Sequence, residues 1–285
     1  MAEEDINVCL TNYKSFFRND IMRDKVAFVT GGGSGIGFTI TETLMRHGCK
    51  TVIASRKLDR LRESARKLEA ATGQECLAVK MDARNPQDVL AAVDQALSHY
   101  GRIDILVNSA AGNFICPASS MSFNAFKTVI EIDTIGTFNV SKAVFDTYLK
   151  DHGGVIINIS ATLPYKGSLF QLHASAAKAA IDSMTKTLCN EWGQYGIRVV
   201  GIAPGPIADT EGMRKLAGSL SRAAAARAIP VGRLGTKRDV ADLTLYMASD
   251  VAGFISGDTI VVDGGSWMTS PNSLESAKMQ LKSVL

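Results

Sequence analysis

A glycine-rich stretch near the start of the chain, TGGGSGIG at residues 30–37, has the residue types and spacing of a phosphate-binding loop. It lies between an apolar run and a helix-length segment, so Gly31, Gly35 and Gly37 let the backbone turn tightly and approach a pyrophosphate. The helix that begins there offers free N–H groups and a partial positive charge. The spacing is Gly-x-x-x-Gly-x-Gly, unlike the Gly-x-Gly-x-x-Gly of other dinucleotide folds. The alternative is a tight turn without a ligand. The residues that we expect to bind a dinucleotide are Gly31, Gly33, Ser34, Gly35, Ile36 and Gly37.

The residues after the second apolar run indicate which dinucleotide binds. NAD-specific sites usually carry an acidic residue there that holds the ribose hydroxyls, whereas this chain has Ser55, Arg56 and Lys57. Hydroxyl and cationic side chains suit a 2′-phosphate, so we predict NADPH; the alternative is a solvated basic helix start. Asp82 follows the third run and can accept from the adenine amino group. Asn108 ends the fourth run, where small residues leave room for adenosine.

An aspartate and a lysine in two later helices form the candidate catalytic pair. Residues 123–148 carry an apolar stripe at helical spacing, and Asp133 falls in the middle of that stripe. A carboxylate on a buried face needs a partner, and Lys178 is available if both helices line the same cleft. A buried acid in a cleft is a functional candidate. The alternative is a structural aspartate that anchors a helix or pairs with a core lysine.

Histidine and cysteine give weaker signals. Of the four histidines only His173 lies near Lys178, and a lone histidine beside an apolar helix is more often structural. The five cysteines are widely spaced and form no Cys-x-x-Cys pair, so we expect neither a metal site nor a disulfide framework. A reduced, intracellular or organellar setting is expected.

These residues need a scaffold of alternating strands and helices. Near-continuous Val/Ile/Leu runs predict strands buried on both faces, as in a parallel sheet. The repeated strand–helix alternation predicts an α/β fold: a doubly wound parallel (Rossmann) sheet of about seven strands, with helices on both faces. The β-rich runs are residues 25–30, 51–55, 76–80, 103–108, 154–160, 197–202 and 259–264. We expect a single domain over 1–285, with terminal appendages at 1–24 and 266–285 and a flap over the site at 208–236.

Composition and charge exclude several classes of function. A hydrophobic content of 46% supports a sizeable core, and a net charge of +3 does not indicate a nucleic-acid partner. No apolar run approaches the length that spans a bilayer. The first ten residues, MAEEDINVCL, lack the positive-then-apolar order of a secretory signal. Neither a nucleic-acid partner nor a membrane span is therefore expected.

Taken together, the motifs resemble the short-chain dehydrogenase/reductase family over about residues 25–265. The matching stretches are TGGGSGIG, NSAAG (108–112), Ser160, Lys178, PGPI (204–207) and VDGG (262–265). The resemblance implies that Lys178 holds the nicotinamide ribose. It also implies that the nicotinamide and its phosphates are framed by Pro204, Gly205, Pro206, Ile207 and Thr210.

The chain departs from this family at one catalytic position. Ordinary members carry a tyrosine four residues before the lysine, and its hydroxyl exchanges the proton of an alcohol or ketone; here that position is Ala174. Carbonyl reduction is therefore not expected. The stretches 110–129, 152–162, 173–180 and 203–212 resemble the 2,4-dienoyl-CoA reductases of this family, in the details the peroxisomal type.

That resemblance implies an auxiliary step in the β-oxidation of unsaturated fatty acids. NADPH delivers hydride to Cδ of the diene, a proton adds at Cα, and the product is a 3-enoyl-CoA. A water held by Asp133 and Lys178 supplies the proton, and Ser160 orients substrate or water. In mitochondrial-type relatives a tyrosine follows the fifth strand, where this chain has Leu163. Tyr165 lies two residues on and is expected to point elsewhere, although a catalytic role for it stays open.

Substrate contacts are implied at the rim of the cleft. Coenzyme A ends in phosphates, so Arg84, Arg214 and Lys215 are candidate partners; the alternative for each is a solvated surface charge. By resemblance, Phe114 and the segment Ser122, Phe123 and Asn124 line the acyl and pantetheine path.

Two other functions stay open at this point: a related reductase acting on an enoyl thioester or on a ketone through Tyr165, and a nucleotide-binding scaffold without chemistry. The resemblance implies a homo-oligomer, a tetramer, through helices 123–149 and 169–192. It also implies a peroxisomal location, otherwise a cytoplasmic one. The last residues, Ser283, Val284 and Leu285, match a peroxisomal import signal poorly because Val284 replaces the base.

Overall fold

A seven-stranded parallel sheet forms the centre of the molecule, as the apolar runs predict. The computed structural model describes residues 7–210 and 222–269. The strands are β1 Val26–Thr30, β2 Lys50–Ser55, β3 Cys76–Lys80, β4 Ile105–Asn108, β5 Gly154–Ile159, β6 Ile197–Pro204 and β7 Thr259–Val262. Their order across the sheet is β3-β2-β1-β4-β5-β6-β7, and every pairing is parallel. The predicted fold class is confirmed.

Helices cover both faces of the sheet. Those of the first half are α1 Gly35–Arg46, α2 Leu58–Thr72, α3 Pro86–Tyr100, α4 Phe123–Ile130, α5 Gly136–Val144 and α6 Lys150–His152. The second half contains α7 Leu163–Lys166, α8 Leu172–Trp192, α9 Arg222–Arg227, α10 Lys237–Ala248 and α11 Ser266–Thr269. One apolar cluster joins α3 and α5 to the sheet, and a second joins α1 and α10 to its other face. Because both faces are covered, the strands are apolar along most of their length.

The strand order reverses between β1 and β4, and this places a crevice at the carboxyl ends of the strands. β1 pairs with β2 on one side and with β4 on the other, with Thr30 opposite Asn108. Helices leave these two neighbouring strands toward opposite faces, so the loops that follow them separate. Open α/β sheets bind ligands at such a switch point.

The long helix predicted at 123–148 contains two π-helical turns. The first, Glu131–Ile135, separates α4 from α5, and the second, Phe145–Leu149, separates α5 from α6. A π-turn inserts an extra residue into the helical repeat and changes which side chains face inward. Asp133 lies in the first of these turns.

The predicted appendages and flap are only partly described. Residues before β1 lie against α1, where the Leu10 N–H donates to both oxygens of the buried Glu42, at 2.8 and 3.0 Å. At the base of the flap, Ile207 forms a parallel bridge with Gly235. Residues 211–221 and 270–285 lie outside the described part of the chain. Among the helices of residues 7–210 and 222–269, none is both long and apolar enough to span a bilayer.

Candidate active site

A cavity of about 650 Å³ occupies the crevice at the carboxyl ends of the strands. It extends from the glycine loop to the carboxyl end of β5. The predicted cofactor residues that line it are Gly31, Gly33, Ser34, Gly35, Ile36, Gly37, Ser55, Arg56, Lys57, Asp82, Lys178, Pro204, Gly205 and Thr210. Residues spread over most of the chain are thus brought to one space by the topology of the sheet.

The glycine loop has the shape that a pyrophosphate requires. Gly31 has φ of 68°, a conformation that side chains other than glycine's rarely adopt. A Cβ atom on Gly37 would lie 2.6 Å from the carbonyl oxygen of Gly31, so a side chain there would push the loop apart. The loop leads directly into the N-terminus of α1, where the Ser34 side chain makes no capping bond. The residues present therefore fit a dinucleotide phosphate.

The end of the cavity next to the carboxyl end of β2 is cationic. Arg56 and Lys57 line it together with Arg60, which is not among the residues predicted from the sequence. Arg60 lies in the first turn of α2, four residues after Arg56, and its closeness in sequence to the basic pair Arg56 and Lys57 was the available signal. Asp82 is the acidic residue in this part of the lining, and its carboxylate is already held by Arg84, with the shortest contact at 2.6 Å. These hydrogen bonds from Arg84 lower the pKa of Asp82.

Arg84 lies at the same cationic end of the cavity, where it pairs with Asp82. The sequence suggested a role for Arg84 at the rim, toward coenzyme A phosphates. The structure places its guanidinium beside the third strand's end, within the cavity that also contains Arg56. A cation at this position is available to any phosphate that enters the cavity from that side.

Three predicted cofactor residues lie outside the cavity lining. The Asn108 side chain is buried in the sheet and donates to Ser141 Oγ and to Asn158 Oδ1, each at 2.9 Å. It therefore cross-links β4 to α5 and β5. Pro206 and Ile207 follow the lining residue Gly205, and Ile207 is buried against Gly235.

The candidate catalytic residues form a buried ion pair. Lys178 Nζ lies 3.1 Å from Asp133 Oδ2, and the two side chains are 8% and 1% exposed. The backbone N–H of Gly112 donates to the other carboxylate oxygen, at 2.7 Å, and Lys178 also donates to the Ile159 carbonyl, at 3.0 Å. Lys178 and Gly112 line the cavity, whereas Asp133 lies behind them. Asp133 thus contacts the cavity lining through Lys178 and Gly112.

The position of the missing tyrosine is filled by a small buried side chain. Ala174 is 2% exposed in the first turn of α8. Tyr165 points away from the cavity: its hydroxyl donates to Asp182 Oδ2 at 2.9 Å, and its ring contacts Trp267 edge-on. Burial and the bond to Asp182 raise the pKa of Tyr165. Ser160 lines the cavity beside Lys178.

The predicted substrate contacts are spread more widely. Phe114 stacks on His173 behind the cavity, with ring centroids 4.1 Å apart. Ser122 caps the N-terminus of α4, where it and the next two residues, Phe123 and Asn124, are exposed. Lys215 and Arg214 lie outside the described residues.

Comparisons with known proteins agree with this geometry. The family model described as Enoyl-(Acyl carrier protein) reductase matches residues 31–266. A Rattus norvegicus protein named peroxisomal 2,4-dienoyl-CoA reductase, (3E)-enoyl-CoA-producing, is 58% identical over 96% of this chain and 93% of its own length. A Danio rerio protein of the same name is 54% identical over 95% of this chain and 92% of its own. The crystal structure of a short chain dehydrogenase from Bacillus anthracis is 41% identical, with a TM-score of 0.78, and covers 86% of this chain and 97% of that one.

Proposed function

The chain belongs to the short-chain dehydrogenase/reductase family, and from this membership we infer that it reduces 2,4-dienoyl-CoA to 3-enoyl-CoA. It is therefore an oxidoreductase that uses a nicotinamide cofactor. The reaction replaces the two conjugated carbon–carbon double bonds of a dienoyl thioester by one, between C3 and C4. It is an auxiliary step in the oxidation of unsaturated fatty acids, and the names of its relatives assign it to the peroxisome.

One observation carries this conclusion: the site lacks a tyrosine and has a buried carboxylate–ammonium pair in its place. Ala174 stands where ordinary members have their proton donor. Lys178 lies one helical turn after Ala174 and is paired with Asp133. Reduction of a ketone needs an acid at the carbonyl oxygen. Reduction of a dienoyl thioester needs a proton at carbon, which a positioned water can deliver.

The cofactor proposed is NADPH. When bound, it supplies the hydride that adds at Cδ of the diene. Arg56, Lys57 and Arg60 line one end of the cavity, and they are the side chains that would hold a 2′-phosphate. The acid of this region, Asp82, is occupied by Arg84, so it does not offset the other three cations. Gly31 and Gly37 would hold the pyrophosphate against the start of α1.

Lys178 stabilises the charge that develops on the substrate. A lysine ammonium has three N–H donors, and Lys178 uses two of them, on Asp133 and on the Ile159 carbonyl. The third is available to the cavity, which Lys178 lines. There it serves the nicotinamide ribose and a water beside Cα. Its positive charge favours a dienolate over the neutral thioester.

Asp133 holds in place the Lys178 ammonium that stabilises the dienolate. Its carboxylate has one oxygen on Lys178 and the other on the Gly112 N–H. The two contacts orient Lys178 and hold the loop after β4 at the cavity wall. The proton reaches Cα from a water bound by this arrangement, with Ser160 as a further hydroxyl that orients substrate or water.

A spectrophotometric assay distinguishes this function from its alternatives. We expect NADPH oxidation with 2,4-hexadienoyl-CoA, and little with crotonyl-CoA or simple ketones. Reaction in D₂O should place deuterium at Cα of a 3-enoyl product. Ketone turnover would instead indicate a reductase working through Tyr165. A bound cofactor without turnover of any of these substrates would indicate a scaffold.

The same assay tests the cofactor. We predict that NADPH is used much more efficiently than NADH, because charge-assisted arginine–phosphate contacts are among the strong hydrogen bonds. Arg56→Ala should raise the KM for NADPH about tenfold or more and leave that for NADH nearly unchanged. The matched control is Arg62→Ala, an exposed arginine of α2 that is absent from the cavity lining. Equal kcat/KM values with the two cofactors would contradict the proposal.

A further inference from the structure

The most unusual buried group outside the catalytic pair is His173, in the first turn of α8. Its side chain is completely buried, yet neither ring nitrogen forms a hydrogen bond of normal geometry with a described residue, and the Phe114 backbone interacts with the ring only more loosely. Burying a polar nitrogen without a partner is unfavourable, and such groups are rare in native proteins. His47 is equally buried, but its nitrogens contact the Thr43 carbonyl at 2.8 Å and Ser15 Oγ at 2.9 Å. His173 is thus an exception within its own fold.

The loop after β4 connects His173 to the catalytic pair. Three consecutive residues of this loop make the connection. Gly112 donates to Asp133, the Asn113 amide donates to Gln171 Oε1 at 3.0 Å, and Phe114 stacks on His173. The loop therefore ties Asp133 to the start of α8.

Asn113 contributes a second polar atom without a partner. Its Oδ1 is buried and unpaired, although the residue itself lines the cavity. A buried water typically makes about three hydrogen bonds to polar groups of this kind. The acceptor Asn113 Oδ1, the nitrogens of His173 and the Asp133 carboxylate are polar groups of this kind that the loop after β4 brings into one region.

The groups around His173 favour its neutral form. Burial lowers the pKa of His173, and this effect is opposed first by the Asp133 carboxylate and then by the Phe114 backbone. Lys178, the other charged group of this cluster, is paired with that same carboxylate. A neutral imidazole has one donor and one acceptor nitrogen, so it bridges a water to Asp133 without adding charge.

From these contacts we propose that His173 and Asn113 hold an ordered water behind Asp133, and that His173 is a positioning residue for the protonation of Cα. The water satisfies the buried nitrogen and fixes the carboxylate, which in turn fixes Lys178. The proposal rests on the dienoyl-CoA reaction inferred above. It assigns to this histidine a role that the residue pattern alone assigns to structure.

The test uses the size-matched variant His173→Phe in the full chain. Phenylalanine keeps the stack on Phe114 and removes both nitrogens. Replacing an unpaired buried polar group by an apolar one of similar shape is neutral or stabilising, so the melting temperature should stay or rise. Turnover of 2,4-hexadienoyl-CoA should fall about 10–100-fold, the size of loss that outer-shell partners of metal ligands typically cause when they are mutated. The solvent deuterium isotope effect on kcat should increase, and NADPH affinity should not change.

Amide variants identify the nitrogen that matters. Asn at position 173 places an amide near the position of Nδ1, and Gln places one near Nε2. His173→Asn or His173→Gln should recover most of the lost turnover. The control is His47→Phe, which removes bonded nitrogens far from the site. It should lower the melting temperature and leave kcat of the folded enzyme unchanged.

The outcomes separate this proposal from the proposed reaction. If His173→Phe keeps kcat within about twofold and has an unchanged isotope effect, the positioning role is wrong. If that variant does not fold, a high-resolution crystal structure of the wild-type NADPH complex decides. An ordered water bonded to His173 and Asn113 Oδ1 supports the proposal, and its absence overturns it. Absent turnover by the wild type is a failure of the proposed reaction, and the crystal structure still tests the water.

Discussion

Among single residues, Gly37 has the closest backbone contact in the nucleotide loop, since a Cβ there would lie 2.6 Å from the Gly31 carbonyl oxygen. We predict that Gly37→Ala weakens NADPH binding about tenfold or more, because overpacking of this kind costs about 1–3 kcal/mol. Fluorescence titration with NADPH measures the effect. The control Gly193→Ala adds a Cβ that meets nothing within 4 Å, and it should bind normally. Unchanged affinity in Gly37→Ala would show that the loop adapts to a side chain.

The sequence predicted the residue types of the site better than their contacts. Spacing and apolar periodicity were enough to single out Lys178 and Asp133, and the structure pairs them. They could not show that Asn108 turns into the sheet, since its partners Ser141 and Asn158 are distant in sequence. For the same reason the burial of His173 without a hydrogen bond of normal geometry was not predictable. Contacts between distant segments depend on how helices pack, and one sequence does not specify this.

At the scale of elements, the strands were predictable and the π-helical turn was not. All seven apolar runs become strands, because burial on both faces imposes continuous apolar sequence. A period of 3.6 residues describes α4 and α5, but it does not reveal the extra residue within Glu131–Ile135. That turn contains Asp133 and lies against α8, so it determines where the carboxylate points. The apolar spacing of this segment is that of an ordinary α-helix, so the π-helical turn is visible only in the structure.

The start of α10 provides a test of the fold against acid. Hydrogen bonds from Arg233, and then from Thr236, hold the pKa of Asp239 at about 2, below its ordinary value of 3.8. A lowered folded-state pKa means that this carboxylate contributes stability above 3.8, and that the contribution is lost as the pH falls through about 2. Asp239 also completes a capping box with Thr236.

We therefore predict that Asp239→Asn lowers stability at about pH 6 and flattens the loss of stability on acidification. Urea denaturation at several pH values measures both. Asp59→Asn, at an exposed position in the first turn of α2, is the control and should change little. An acid profile identical to that of the wild type would mean that the capping box contributes no pH-dependent stability.

At the scale of the whole molecule, exposed apolar side chains mark a surface that needs a partner. Phe123, Ile135 and Phe138 lie along α4, the π-helical turn and α5, and Phe138 is 47% exposed. Leu172 adds to this surface at the start of α8, with 50% exposed. Clustered apolar side chains on a surface indicate a protein interface. We propose that these helices join copies of the chain into a homotetramer.

Light scattering at micromolar concentration tests the assembly. We predict a tetramer for the wild type and a smaller species for Phe138→Lys, because a lysine cannot be buried unpaired at an interface. Arg62→Ala, a charge removal at an exposed position of α2, should leave the mass unchanged. A monomeric wild type would contradict the proposal.

Lys178 lines the cavity and pairs with Asp133. We propose that it serves both the nicotinamide ribose and the water, so that its removal affects both. We predict that Lys178→Ala loses turnover and also weakens NADPH binding. Separate measurement of kcat and of NADPH affinity checks this, with thermal unfolding to show that the variant is folded. Loss of turnover with full NADPH affinity would show that the lysine acts in proton delivery and not in binding the ribose.

The central claim is that the proton comes through Asp133 and Lys178 and not from a tyrosine. Turnover of 2,4-hexadienoyl-CoA by Asp133→Ala and by Tyr165→Phe, beside their NADPH affinities, tests it most directly. Asp133→Ala should lose about 10²–10⁴-fold in kcat, the usual contribution of acid catalysis, and keep most of its NADPH affinity. Tyr165→Phe removes only a hydroxyl that is bonded to Asp182, and it should stay within about tenfold of the wild type. An inactive Tyr165→Phe beside a nearly normal Asp133→Ala would contradict the account and assign the proton to the tyrosine.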